Sequence, residues 1–371
     1  MNITAVGKFL DQPVLISKLK DKTPKILVGA AFAYGAYDVY KTPKENRKNR
    51  AIKDGIILSS VTCASLISAF GLKIGKTSLL KGLVDIKDAK NIISDKKIAI
   101  DKFLKKNNVD EKTETLLNRA KEGVISFRDT KEILKINPKN KGYNELLDTL
   151  YSKKEDLSAK EIFKETGRLS VLGLMPVAAG VLGGIAAEKV TGESTPKSTS
   201  HKVEEGAYQF LANIFMCNVG AAGALFGAER LQKAGKIGPL GPAKKLGIIM
   251  GGIFVTGIMG GSYVANLIGK KVLDPIFDKK TNSKEIKGAA RFEDAPKSLT
   301  GKAFPGANAQ KADKKGIYNE RKPEILDMAL HTDDIATAGV LSGFKWIEPM
   351  LPLMYTISGF RAGIGYRNNK E

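Results

Sequence analysis

Three uncharged apolar runs, residues 169–187, 207–228 and 246–269, constrain this chain more than any other feature. They are 19 to 24 residues long. At about 1.5 Å rise per residue, helices of that length match the roughly 30 Å hydrocarbon layer of a bilayer. Asp, Glu, Lys and Arg are absent inside the runs and stand at their edges, at Arg168 and Glu188, Glu205 and Glu229, Lys245 and Lys270. The expected fold class is all-α: a multi-pass helical membrane bundle with a small soluble helical domain attached. A water-soluble core of all-apolar helices is the rival arrangement.

Glycines separate these two arrangements. They recur at four-residue spacing within the runs, at Gly180 and Gly184, Gly223 and Gly227, Gly247 and Gly251, and Gly257 and Gly261. Lipid offers no hydrophobic drive between helices, so association depends on close backbone approach, which a glycine stripe permits. Soluble helices avoid interior glycines, because each costs about 1 kcal/mol against Ala. Glycine-zipper packing of the three helices is therefore expected.

Charge bears on partners. Lys and Arg number 60 and Asp and Glu 39, a net charge of +21. In a soluble protein such an excess suggests nucleic acid. No helix-turn-helix, aromatic RNA-binding pattern or zinc spacing accompanies it here, so no nucleic acid is expected. Basic segments beside a membrane are instead held by anionic headgroups. Membrane lipids are the expected partner, with a homo-oligomer or protein partner beside them. Cys63 and Cys217 are too few for a disulfide framework or zinc site and read as small hydrophobes. No cofactor is expected, and no Ser-His-Asp, paired-carboxylate or Cys-His arrangement supports enzyme chemistry.

The N-terminal 72 residues hold two shorter apolar stretches. The first 25 residues carry Asp11, Lys18, Lys20, Asp21 and Lys22 and lack the apolar centre of a secretory signal. Residues 26–40 are brief for a span, and residues 55–72 are closer to adequate. The loop between them holds Lys41, Lys44, Arg47, Lys48, Arg50 and Lys53. If both stretches span, one basic flank breaks the positive-inside tendency. A hairpin dipping into or lying along the membrane is expected, with a spanning pair as the alternative.

Residues 73–168 are charged and rich in helix formers. Ile92, Ile93, Lys96, Ile100, Phe103 and Leu104 follow helical spacing. Asp110 reads as an N-cap, Ser158 with Glu161 as a capping box, and Pro138, Asn140 and Gly142 as a break before the helix at 143–151. The segment Gly71-Leu72-Lys73-Ile74-Gly75-Lys76-Thr77 is similar to a phosphate-binding loop, but it has three residues between its glycines where that loop has four. It also follows a helical run instead of a strand.

Residues 188–205, rich in Ser, Thr and Pro, read as an exposed outer loop, and the basic segment 229–245 as an inner one. Residues 270–334 are expected to be irregular and partly disordered. The last apolar run, 335–360, carries Gly339 and Gly343, and then Gly359 with Gly363, at the same spacing. It also carries Lys345 and Glu348, followed by Pro349 and Pro352, which should break the helix. A charge at bilayer depth costs on the order of 2.5 to 3.5 kcal/mol, so Lys345 and Glu348 are expected to pair with each other or face a polar cavity. The other reading sets them among headgroups with Trp346 as anchor. His331, Asp333 and Asp334 could hold a divalent cation, although acidic residues before a helix also complement its dipole. Alternating spans put Ser198, Lys236, Ser298 and Asn368 outside, inside, outside and inside. The expected role is structural or interaction: a bundle that anchors the helical domain at a bacterial cytoplasmic membrane. A transporter or channel using Lys345 and Glu348, or a membrane-inserting hairpin protein, is the alternative.

Overall fold

A computed structural model of the chain describes residues 3–80, 87–151, 159–273, 275, 340 and 345–365. Most of them are helical. The order is α1 (Ile3–Leu10), α2 (Pro13–Lys41) and α3 (Arg47–Leu66), the last continued by a π-helical turn at Ile67–Gly71. A two-stranded antiparallel hairpin follows, β1 (Lys73–Ile74) and β2 (Thr77–Ser78), turning at Gly75 with φ +64°. The residues similar to a phosphate-binding loop are this hairpin. Then come α4 (Ala89–Lys106), α5 (Glu111–Ala120), α6 (Phe127–Ile133), α7 (Tyr143–Leu150) and α8 (Ala159–Thr191). A wide, π-helical turn at Leu211–Met216 continues α9 (Pro196–Phe210) into α10 (Cys217–Lys233) as one helix, and another at Ile253–Gly261 continues α11 (Pro242–Gly252) into α12 (Ser262–Ile268). A 3-10 segment, Lys345–Met350, leads into α13 (Leu351–Ile364).

Among the described residues, three helical stretches are long and apolar enough to cross a membrane: Lys44–Gly71, Lys160–Thr191 and Pro196–Lys233. The residue 55–72 run thus belongs to a helix of spanning length that packs along α8, with Ser60 and Ile57 against Gly183. Residues 13–41 also exceed the brief apolar stretch at 26–40: α2 is one helix of 29 residues, with Pro24 inside it.

α4–α7 enclose a core of their own. Ile100, Phe103, Leu116, Leu117, Ile133 and Leu146 are buried together, closed over by Tyr143 and Tyr151. Of the amphipathic set, Ile92, Lys96, Ile100 and Phe103 face inward. Gly142, at φ +83°, supplies the turn that the Pro-Asn-Gly cluster announces before α7. Asp110 stands at the N-cap of α5, where its carboxylate accepts a hydrogen bond from the Thr113 hydroxyl. Ser158 lies outside the described residues.

α2 joins this body to the rest. At its start the Gln12 side chain donates to Ile125 O and accepts from Ile125 N, at 2.9 and 2.7 Å, acting as a strand-like rung. Ser17 donates to Lys87 O at 3.1 Å, and Phe9 of α1 packs edge-on to Phe127 of α6. Further along α2, Thr23 donates to Pro349 O at 3.0 Å, Tyr34 meets Phe360 and Gly35 meets Leu58. One rod therefore touches the small domain with one half and the apolar helices with the other.

The apolar helices pack by backbone approach at specific glycines. A Cβ on Gly180 would stand 1.8 Å from Gly359 O, and one on Gly184 would stand 2.0 Å from Gly363 O, so α8 and α13 run side by side in the same direction. Gly220 and Gly252 meet in the same way where α10 crosses α11. Gly261 lies against Ala212 and Met216. The expected positions Gly223, Gly227, Gly247 and Gly251 make no such contact, since a Cβ on any of them would meet nothing within 4 Å. Four-residue spacing marks a helix face, but which glycine meets a neighbour is set by the crossing point. Gly257 sits within the wide turn of α11–α12, and Gly339 and Gly343 lie outside the described residues.

An expectation about a loop is corrected. Residues 188–205 are not an exposed loop: α8 runs to Thr191, and α9 starts at Pro196 under a Thr195–Ser198 capping box. Ser, Thr and Pro in that linker are helix-start residues, a use their loop-like composition hides. Asn368 lies outside the described residues, but Gly365 just before it packs on Lys202, at the end of the bundle that carries Ser198. The described end of α13 thus lies near Lys202, because α13 is parallel to α8. Of residues 270–334, expected to be irregular, the described residues 270–273 and 275 are helical instead, and the rest lie outside the described residues.

Candidate functional site

The strongest concentration of buried charge sits where the start of α8 meets the 3-10 segment before α13. Arg168 is its centre. Its Nε lies 2.6 Å from Glu165 Oε2, one turn back on α8, and its Nη1 lies 2.9 Å from Glu348 Oε1. The guanidinium also donates to Leu79 O, just after the β-hairpin. Glu348 is fully buried, with Arg168, Glu165 and Lys345 nearly so. A planar guanidinium with a fork of donors can serve two carboxylates and a carbonyl at once, which an ammonium cannot do with the same geometry.

Proline chemistry positions this cluster. Pro349 and Pro352 lack the amides a helix needs, so the chain winds as a 3-10 turn over Lys345–Met350 and α-helix begins only at Leu351. Thr23 of α2 donates to the Pro349 carbonyl at 3.0 Å. Pro349 thus lies within the 3-10 turn and Pro352 in the first turn of α13. The pairing differs: Glu348 takes its cation from Arg168, a residue assigned by sequence to the edge of an apolar run, and not from Lys345. Trp346 is half-buried beside them.

A second set of buried polar groups lines α9 and α10. Gln209 donates to Glu205 Oε1 at 2.7 Å, and Asn213 donates to Gln209 Oε1 at 2.8 Å, a ladder at i, i+4. After the wide turn, Asn218 lies 3.4 Å from Ser170 Oγ, and Thr166 donates to the Asn218 carbonyl at 3.4 Å. Glu205 is fully buried although it was expected to mark a headgroup edge. At the opposite end from Arg168, Lys202 pairs with Glu188 and Lys53 with Glu193. The only signal for this ladder in the sequence is Glu205, Gln209 and Asn213 at four-residue spacing.

His331, Asp333 and Asp334 lie outside the described residues, and among the described residues no three His, Cys, Asp or Glu side chains gather to hold a metal. No family model, no curated protein and no solved structure matches this chain.

Proposed function

We propose that this is a multi-pass membrane protein whose glycine-packed bundle holds the α4–α7 domain at one face of the bilayer. The observation that carries the reading is where large apolar side chains meet solvent. On the bundle they are plentiful and outward: Leu182 is 68 % exposed, Tyr263 70 % and Phe32 79 %, with Phe215, Phe226 and Phe254 among the others. Within residues 89–151 only Ile98 is of this kind. Exposed apolar surface on that scale marks a lipid or protein contact. The rod-like α2, fastened to the domain at Gln12 and Ser17 and to the bundle at Thr23 and Gly35, supports a holding role. The Arg168 cluster, tying α8, the hairpin and the proline break together beside Thr23, fits as the joint.

Membranes from cells expressing the full chain, washed with alkaline carbonate, test this. The protein should stay in the pellet and leave only with detergent. Stable, monodisperse recovery without detergent would overturn the reading.

A second reading is transport, favoured by the Glu205–Gln209–Asn213 ladder and the Arg168 cluster at successive depths of one bundle. Buried ionisable groups at membrane depth are hallmarks of ion and proton paths. Proteoliposome flux lost in Glu348→Gln and Glu205→Gln would support it, and unchanged flux in both would remove it.

A further inference from the structure

We propose that the tip of the α2–α3 hairpin is a binding site for anionic phospholipid headgroups, a proposal that rests on the membrane placement above. The tip carries Lys41, Lys44, Arg47, Lys48, Arg50 and Lys53 against Glu45. The last two are consumed internally. Arg50 lies 2.5 Å from Asp38 and 3.2 Å from Asp54, and Lys53 pairs with Glu193 of the α8–α9 turn. Arg47 is half committed, since its guanidinium donates to Thr42 O and Tyr40 O at 3.0 and 2.9 Å and caps the end of α2. Lys41, Lys44 and Lys48 remain on the exposed rim.

What lies next to that rim points to lipid in preference to a soluble polyanion. Tyr37 and Tyr40 are 58 % and 72 % exposed, with Lys41 Nζ 5.6 Å from the first ring centre and the Arg47 guanidinium 5.8 Å from the second. One and two turns deeper on α2 stand Phe32 and Val28, both exposed. The order along the rod is apolar, then tyrosine, then lysine, which matches acyl chain, interface and headgroup. A nucleic-acid or acidic-protein surface would have no use for Phe32 and Val28 below the tyrosines. Paired cations inside and unpaired ones on the rim also explain why the tip stays basic although it is crossed by ion pairs.

The test uses the full chain in nanodiscs of phosphatidylcholine, alone or with phosphatidylglycerol, reading the lipid that stays with the protein after gentle detergent release. The wild type should retain phosphatidylglycerol above its bulk share. The variant Lys41→Gln/Lys44→Gln/Lys48→Gln should lose that enrichment, roughly fivefold per lysine at low salt. Lys105→Gln/Lys106→Gln/Lys139→Gln, the same charge change on the α4–α7 domain, should keep it. Equal enrichment in the tip variant, equal loss in the domain variant, or abolition of the enrichment by inorganic phosphate at millimolar concentration would each overturn the proposal. Unfolding midpoints in pure phosphatidylcholine, unchanged between wild type and tip variant, establish that the fold is intact. Failure of the membrane placement itself reads differently: the wild type would not enter phosphatidylcholine discs and would remain in solution without detergent.

Discussion

The α4–α7 domain and the bundle of α3 and α8–α13 are built from the same helices turned opposite ways. In the domain, apolar side chains point inward to Ile100, Leu117 and Ile133, while the surface carries ion pairs such as Lys102–Glu145, Lys121–Asp101 and Arg119–Asp129. In the bundle, Leu182, Val255 and Tyr263 point out, and Arg168, Glu348, Glu205, Gln209 and Asn213 are buried. The contrast is the one expected when the bundle, as proposed, lies in lipid and the domain in water. Water pulls charge outward and makes burial of apolar surface the driving force. An apolar solvent leaves polar groups needing partners inside and reduces helix association to backbone fit.

The sharpest way to break the contrast is to remove Arg168. Arg168→Leu strands Glu348 and Glu165 in the interior, and losing one partner of a buried ion pair costs about 3–5 kcal/mol. A thermal unfolding series in detergent should show the bundle transition falling while the α4–α7 transition holds. A simultaneous fall of both would mean that the two bodies unfold as one.

Glycine substitution should sharpen it next. Gly180→Ala drives a methyl group into Gly359 O and should destabilise by about 1–3 kcal/mol as overpacking. Gly223→Ala meets open space and should be neutral or mildly stabilising, since Ala is the better helix former by about 1 kcal/mol. Equal effects in unfolding experiments would mean that close backbone approach does not organise these helices.

The fastening between the bodies is a smaller effect. Gln12→Ala leaves the amide and carbonyl of Ile125 without the side-chain rung, worth about 1–3 kcal/mol for buried polar groups. Amide exchange at residues near 125 should accelerate while exchange in α13 does not change.

The last effect is one of pH and belongs to the domain alone. Burial pushes Lys96 down to about 8 from its ordinary 10.5, with its ammonium donating to Gly123 O. Between those values the unfolded chain binds the extra proton, so stability should rise as pH is raised from about 8 to 10.5 and be lowest below 8. Lys96→Met should flatten that slope in a pH series of domain unfolding, and a slope unchanged in the variant would assign it elsewhere.

Much of the fold was legible because its signals are local. Periodic apolar residues place α4, and Gly142 announces α7. The candidate site was legible only in part. Glu348 stands out as a charge in an apolar run, but its partner Arg168 could not be named, since spacing along the chain says nothing about which distant helix comes alongside. The same limit hid which glycines meet a neighbour, so Gly223, Gly227, Gly247 and Gly251 face open space where contact was expected.

The sequence by itself determined that the chain is helical and that long stretches of it carry no charge, because both follow from residue type and period within a single helix. Only the tertiary structure decided which charges are buried together, which glycines touch and which way α13 runs. Those depend on helix crossings, and a crossing is fixed by the fit of two surfaces that the linear order keeps apart.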